Sequence, residues 1–460
     1  MTFSNTIKSV AVIGAGPSGL ATAKALLAEG AFSKVKVFER QNQPGGVWVY
    51  NSQTRDTPLV PSVSANAQEP TKLDDKLQRA VYYSPMYKYL ETNLPKYVMQ
   101  YHELRFEENL PVFPPKSDVL AYIQEYAKPL TSAIRYNAEV RRVEKMHGNG
   151  PWTIEYVDYT QNYPQGTTYA EEFDAVVVST GHYDLPFIPD VKGIAEWSQK
   201  YPGSVQHAKY FDDPQDFSGK TVVVVGNAAS GVDISLQAAN FAKKVYRSVA
   251  GPPLMPYGDD PRVQDVPVIA EYRPTTHEIL LTDGQVLADV DVVVYCTGYL
   301  YTLPFLRTYM DAENPDCVLK PSGQRLHRVY KHMFYIPDPS LSFVGAPKQI
   351  IPFPMAETQG AVIARVYSKR LMLPDESEMR ADEKLQEKKA GPREVDFHLF
   401  QFPGDFAYYR ELESWIDEAG NTNANEFLPE RWTDERYEQR AESYALKTAL
   451  VKAKQAQGFI

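Results

Sequence analysis

Two glycine-rich loops are the residues of this chain best suited to do chemistry. The first is Gly14-Ala15-Gly16-Pro17-Ser18-Gly19, within VAVIGAGPSGL (10–20). The second is Gly226-Asn227-Ala228-Ala229-Ser230-Gly231, within TVVVVGNAASGVD (221–233). Each comes after an apolar strand and opens a helix, the arrangement that holds a dinucleotide pyrophosphate. In the first loop, Gly14 permits the tight turn, Gly16 lets backbone approach the phosphates, and Gly19 lets helix and strand pack closely. The phosphates then sit on a helix N-terminus, where unclaimed N–H groups and the dipole favour negative charge.

The two units differ at the end of their second strand. Strand KVKVFER ends in Glu39 and Arg40. A carboxylate at Glu39 accepts hydrogen bonds from a ribose diol and repels a 2′-phosphate. The matching strand end of the second unit reads VYRS, with Arg247 and Ser248. A guanidinium there suits a 2′-phosphate through charge-assisted hydrogen bonds. One unit carries an acid at this position and the other a base, so they hold different dinucleotides: FAD first and NADPH second. Ala228 replaces the middle glycine of the second loop, so backbone approach there is expected to be less close. Gly45-Gly46-Val47-Trp48 comes shortly after Glu39; the glycine pair allows close backbone passage, and Trp48 is placed to lie against the flavin.

The elements that position these residues are set by pattern. KSVAVIGAG is a strand and turn, and PSGLATAKALLAEG a helix stopped at Gly30. Residues 51–80 are polar and proline-punctuated and read as a surface excursion. Residues 118–130 are expected to be helical. RYNAEVRRVEKM, PWTIEYVDY and TTYAEEF read as short antiparallel strands, and FDAVVVSTGHY as a buried strand ending in a small-residue turn. A second βαβ unit spans Thr221–Ser248. A hairpin at Asp283-Gly284 leads into another buried strand that ends in the turn Thr297-Gly298, expected to belong to the NADP site. MFYIPDPSLSFVG reads as a hairpin, residues 374–395 as a charged, solvated connector, and the last thirty residues as a polar-faced helix. The fold expected is α/β, with two Rossmann-like dinucleotide-binding domains in a disulfide-reductase-like arrangement. The NADPH domain (186–303) is inserted in a discontinuous FAD domain (1–185 and 304–460).

Composition narrows the function. The chain has 460 residues, 43% of them hydrophobic, enough for a substantial core. A net charge of −10 argues against a nucleic-acid surface. No stretch approaches the roughly 20 apolar residues of a spanning helix, and the N-terminus is no secretory signal. A cytoplasmic location is expected, with peripheral endomembrane association left open. Cys296 and Cys317 are the two cysteines, with no redox-pair, iron–sulfur or haem spacing. The eight histidines form no metal-ligand spacing, and no metal is expected; His327 and His332 read as structural. Electrons from NADPH therefore pass by elimination to a diffusible acceptor, O₂.

At this point the chain resembles the flavin-containing monooxygenases, of the shorter kind without a membrane tail, over residues 8–375. The resemblance rests on VAVIGAGPSGLATAKALL, PGGVW, YKYLETNLPK, the stretch from Tyr201 through Gly203 and His207 to Phe211, VVVVGNAASGVD and YCTGY. Tyr201 departs from the family's phenylalanine there, and Phe211 stands where the sister Baeyer–Villiger enzymes carry tryptophan, which favours heteroatom oxidation. The resemblance implies that NADPH reduces FAD, that O₂ adds at flavin C4a to give a hydroperoxide, and that a soft sulfur or nitrogen nucleophile takes the distal oxygen. It implies a catalytic role for Asn93, in TNLP, beside the flavin. It also implies FAD contacts from Arg40, Val47, Thr92, Val140 and Gln359. The helix opening at IPFPMAETQG, which carries Gln359, is expected to face the flavin pyrimidine. A homodimer is the family expectation. The alternatives are an NADPH oxidase or reductase without oxygen transfer, and a Baeyer–Villiger enzyme.

Overall fold

The computed structural model describes residues 6–52, 58–67, 70–145, 150–252, 259–420 and 427–457. Two parallel sheets carry the two glycine loops. In the first, the parallel strands run in the order Leu341–Phe343, Ala175–Val178, Ser9–Ile13, Lys34–Phe38 and Ile134–Arg135. Val329–Tyr330 and Phe334–Tyr335 extend one edge as antiparallel strands. In the second sheet, Val205–His207, Val292–Tyr295, Thr221–Val225, Lys244–Ser248 and Val263–Val266 are parallel throughout. The central strands of both are almost pure valine, alanine and isoleucine and are buried on both faces, as parallel strands under helices must be. Every strand of the second sheet lies in the chain between Ala175–Val178 and Leu341–Phe343 of the first. The chain therefore leaves the first sheet, builds the second, and returns.

Helix α1 (Pro17–Glu29) extends from the first loop and ends at Gly30, whose φ of 67° supplies the left-handed stop. Helix α2 (Lys116–Ala127) covers most of the region expected to be helical at 118–130, and a 3₁₀ turn continues over Lys128–Ala133. Helix α3 (Ala229–Ala238) extends from the second loop, and helix α4 (Pro352–Tyr367) packs along α1. A side chain at Gly360 of α4 would place its Cβ 2.9 Å from the Thr22 Cα, so a glycine sets how closely these helices approach. Three antiparallel strands, Glu139–Lys145, Trp152–Asp158 and Thr167–Phe173, form a flanking sheet. The expected hairpins at Asp283-Gly284 and at 333–345 are both present. Part of the 51–80 excursion lies outside the described residues; within it, Lys72–Asp74 pairs with Arg79–Val81.

Residues 374–395 are not a solvated connector. They hold helix α5 (Glu376–Ala390), opened by a reciprocal capping box between Asp375 and Glu378. Such a box contributes about 1 kcal/mol, and the Glu376–Arg380 pair at i,i+4 adds about 0.4 kcal/mol. The decisive contact is Glu383, 3% exposed, which accepts from Arg325 Nη2 at 3.1 Å. Burial of a partnered charge, which leaves no apolar stripe, is what concealed this helix. Helix α6 (Gly404–Glu418) and the expected C-terminal helix α7 (Asp434–Ala456) come after it in the chain. No helix among the described residues is long and apolar enough to cross a membrane.

Helix α4 buries Glu357 completely; Oε2 accepts the His102 N–H at 3.0 Å, and the Tyr126 hydroxyl donates to Oε1 at 3.3 Å. Burial raises its carboxyl to about 8 despite those bonds. A raised folded value means stability that is full below about pH 4.5 and is lost as pH rises toward about 8. Glu357→Gln should therefore gain thermal stability relative to wild type as pH is raised across that window. Parallel melting midpoints at all pH values would show that Glu357 does not titrate there.

Candidate functional site

The two loops are geometric copies. Gly14 takes φ +103° and donates to the Phe38 carbonyl at 2.8 Å. Gly226 takes φ +113° and donates to the Ser248 carbonyl at 2.9 Å. A Cβ on Gly14 would stand 2.7 Å from the Ser179 carbonyl, and one on Gly226 2.8 Å from that of Cys296. A Cβ on Gly19 would stand 1.8 Å from the Gly14 oxygen, and one on Gly231 2.0 Å from the Gly226 oxygen. These overlaps leave no room for any other residue, so each helix is pressed onto its own loop. Neither Gly16 nor Ala228, the two N-cap residues, gives a side-chain cap. The first-turn N–H groups at Ser18 and Gly19, and at Ala229, Ser230 and Gly231, are thus presented to an anion in the way a dinucleotide needs.

Around the first loop the expected residues converge. Glu39 is buried, and its carboxylate accepts from the N–H groups of Ala15 at 2.7 Å and Gln41 at 2.8 Å. Burial raises its carboxyl above the ordinary value. Gly45 and Gly46 both take positive φ, and Gly45 N donates to the Ala15 carbonyl at 3.0 Å. A Cβ on Gly46 would stand 2.9 Å from the Gly16 Cα, so the two loops form one narrow cradle. Val47 offers its carbonyl to the Ser84 hydroxyl, and Trp48 meets Phe353 edge-on at 6.3 Å. Val140 is buried on its flanking strand, one residue past Ala138–Glu139, whose Ala138 N bonds the Glu39 carbonyl.

Gln359 is fully buried, with both ends of its amide engaged inside the protein. Oε1 accepts from Gly345 N at 2.9 Å, and Nε2 donates to the Tyr408 hydroxyl at 3.0 Å. A Cβ on Gly345 would stand 2.8 Å from Ser18 Oγ, so Gln359 shapes the turn that walls the cradle. Pro352 and Pro354 remove two N–H groups from the first turn of α4, which leaves Phe353 as its forward donor.

Arg40 turns from the loop to Asp184 at 2.9 Å, and Lys209 reaches Asp184 Oδ1 at 3.2 Å from the inserted segment. Burial works against the Asp184 charge, but Arg40 and Lys209 hold its carboxyl well below the usual range. This three-charge knot joins the two units, and sequence pattern gave no sign of it. His207 reinforces the crossing. Its Nε2–H donates to the Gly298 carbonyl at 2.9 Å, and its Nδ1 accepts from Lys209 N at 3.1 Å. With both nitrogens used, and burial lowering its pKa to about 3, it is a fastener and not a base. Thr297 donates its hydroxyl to the Phe187 carbonyl at the same crossing.

At the second loop, Ser248 receives the Gly226 N–H and donates its hydroxyl to the Pro267 carbonyl at 3.0 Å. Arg247 is 3% exposed, and its Nε and Nη2 donate to Asp265 at 2.8 and 3.0 Å. The pairing comes from register, because Arg247 faces Asp265 on the neighbouring parallel strand. Thr92 and half-buried Asn93 lie on the turn before Pro95, where Thr92 N bonds the Pro114 carbonyl at 3.1 Å. Cys296 and Cys317 are both free and buried. His332 Nδ1 lies 2.9 Å from His398 Nδ1, while His398 Nε2 accepts from Leu326 N, so this pair is a packing device.

The family described as flavin-binding monooxygenase-like matches residues 78–254 and 263–422, and a NAD(P)-binding Rossmann-like domain matches 12–66. The chain belongs to the flavin-binding monooxygenase family. FAD and NADPH are accordingly its cofactors, and the two cradles fit them. A thiol-specific monooxygenase of Saccharomyces cerevisiae is 29% identical over 96% of this chain and 93% of its own. The flavin-containing monooxygenase FMO GS-OX3 of Arabidopsis thaliana is 36% identical over 82% of this chain and 77% of its own. The solved structure of the S-allyl-L-cysteine S-oxygenase of Allium sativum superposes with a TM-score of 0.76 at 29% identity, covering 98% of this chain and 93% of that one.

The Arg247–Asp265 pair yields a test. Arg247→Ala should raise KM for NADPH about tenfold, the worth of one charge-assisted hydrogen bond, and leave KM for NADH unchanged. An equal change for both cofactors would make Arg247 a partner of Asp265 alone.

Proposed function

We propose that this chain uses NADPH and O₂ to oxygenate the sulfur of small thiols or thioethers, with amine nitrogen as the poorer acceptor. The observation that carries this reading is a mismatch between electron supply and acceptor. The chain holds two dinucleotide cradles, while its two cysteines are buried, separate and held as thiols by burial. The acceptor is therefore diffusible. The sulfur preference draws on the relatives, a thiol-specific enzyme and an S-oxygenase.

When bound, the flavin supplies the activation of oxygen; the chain's residues bind, orient and exclude water. The first loop would hold the FAD pyrophosphate and Glu39 its ribose. The second loop would hold NADPH, with Arg247 and Ser248 at its 2′-phosphate. Arg40, Val47, Trp48, Thr92, Val140 and Gln359 would complete the FAD site, and Thr297 and Gly298 the NADP side. The side-chain amide of Asn93 is the donor assigned to the reacting edge. No acid–base pair is needed, and the buried imidazole of His207 supplies none.

The test is product per NADPH. Incubation under ¹⁸O₂ should place one labelled oxygen on a thioether as its sulfoxide, turn a small thiol into its disulfide with the label released as water, and turn over a tertiary amine more slowly. Stoichiometric hydrogen peroxide with no labelled product would overturn the reading. Asn93→Ala should keep its FAD and its NADPH reduction rate, while product per NADPH falls roughly 100-fold, as for loss of one positioned donor.

A further inference from the structure

Most buried ion pairs here close within the FAD unit, such as Arg440–Asp405 and Arg325–Glu383. Besides the Arg40–Asp184–Lys209 knot, a second network spans both units. It is carried by α7, which lies beyond the last residue matched by the family. Lys447, Val451 and Lys454 stand at i, i+4 and i+7 and so share one face of this helix. Val451 packs against Val232 and Leu236 of α3, the helix opened by the second glycine loop. Lys454 pairs with Glu91, and Gln455 Nε2 donates to the Asp259 carbonyl at 3.2 Å. Lys447 is 6% exposed. Its ammonium donates to the Thr92 carbonyl at 2.8 Å, stands 3.7 Å from Glu91 and lies 4.8 Å over the Phe113 ring. Asp233 of α3 adds its charge to the same cluster and takes the Tyr87 hydroxyl.

The Thr92 carbonyl and the Asn93 N–H belong to one planar peptide unit. A donor fixed on that oxygen therefore fixes the plane from which Asn93 projects. Two further bonds hold the same turn: Thr92 N to the Pro114 carbonyl, and Thr92 Oγ1 to the Leu94 carbonyl at 2.8 Å. The bond from Lys447 comes from a helix that also packs on α3 of the NADPH unit. A buried ammonium tolerates little displacement, because leaving its acceptors strands a charge away from water.

We propose that Lys447 is a positioning residue, which sets the Asn93 turn and ties its placement to the helix that extends from the NADPH loop. The proposal rests on the assignment of Asn93 to the reacting edge. Among the described residues the contacts of Lys447 are with Thr92, Glu91 and Phe113, outside the glycine loops, so its loss should act on the fate of the oxygen and not on cofactor supply.

The experiment uses the FAD-loaded full chain. Lys447→Met should keep its FAD and its anaerobic rate of reduction by NADPH. Product per NADPH should fall about fivefold, the worth of one hydrogen bond, with hydrogen peroxide making up the difference. Amide exchange over residues 88–96 of the FAD-free protein should rise, and Lys447→Arg should restore most of the coupling. Unchanged product per NADPH in FAD-loaded Lys447→Met would overturn the proposal. So would an equal fall in reduction rate and coupling, which marks a merely structural role. If Lys447→Met does not accumulate, Glu91→Gln decides on the same two readouts. Asn93→Ala is run alongside. If it stays coupled, the Asn93 reading falls and this proposal with it; if it uncouples while Lys447→Met does not, this proposal falls alone.

Discussion

Two missing Cβ atoms govern this protein. At Gly19 and again at Gly231 a helix lies so close to its preceding turn that a methyl group would overlap a carbonyl oxygen, at 1.8 and 2.0 Å. That proximity aims each helix start at a pyrophosphate. It also requires the strands beneath to be narrow, apolar and buried on both faces, which is what SVAVI and TVVVV provide. The close contact of Gly360 with Thr22 extends the same constraint outward to the next helix. Much of the FAD side is thus organised around a distance of approach and not around a charge.

Charge enters where the two units meet. Asp184 is shared by Arg40, on the strand end beside Glu39, and Lys209, on the inserted segment. His207, held neutral by burial, ties the end of its strand to the Gly298 turn. Phe187 N also bonds the Gly298 carbonyl, and Leu185–Pro186 pairs with Tyr299–Leu300. The two chain crossings are therefore fastened to each other before they reach either core.

The fold and the cofactor cradles were legible because they rest on local rules. A strand, a glycine turn and a helix are contiguous, and an acid or a base at the next strand end can be read by position. Helix α5 was hidden because its stability comes from a cap, an i,i+4 pair and the buried Glu383–Arg325 contact, none of which leaves an apolar period. Asp265 was hidden because its partnership with Arg247 depends on strand register, not on sequence distance. Gln359 stands in a proline-flanked helix that pattern reveals, but its partners, Gly345 and Tyr408, come from two other segments. Lys447 is 355 residues from its acceptor Thr92, and no local pattern spans that distance.

The return of the chain to its first sheet has a consequence for biosynthesis. The second sheet is contiguous from Val205 to Tyr295, so it can close as soon as that stretch has left the ribosome. The first sheet cannot. Strand Ala175–Val178 waits for Leu341–Phe343, and the apolar face of α1 waits for α4, more than three hundred residues later. During synthesis the inner unit matures first, while the outer one carries an open strand edge and an uncovered helix. Nascent outer segments of this kind are natural clients for chaperones, and the stretch from Leu341 to Tyr367 is the part that seals them.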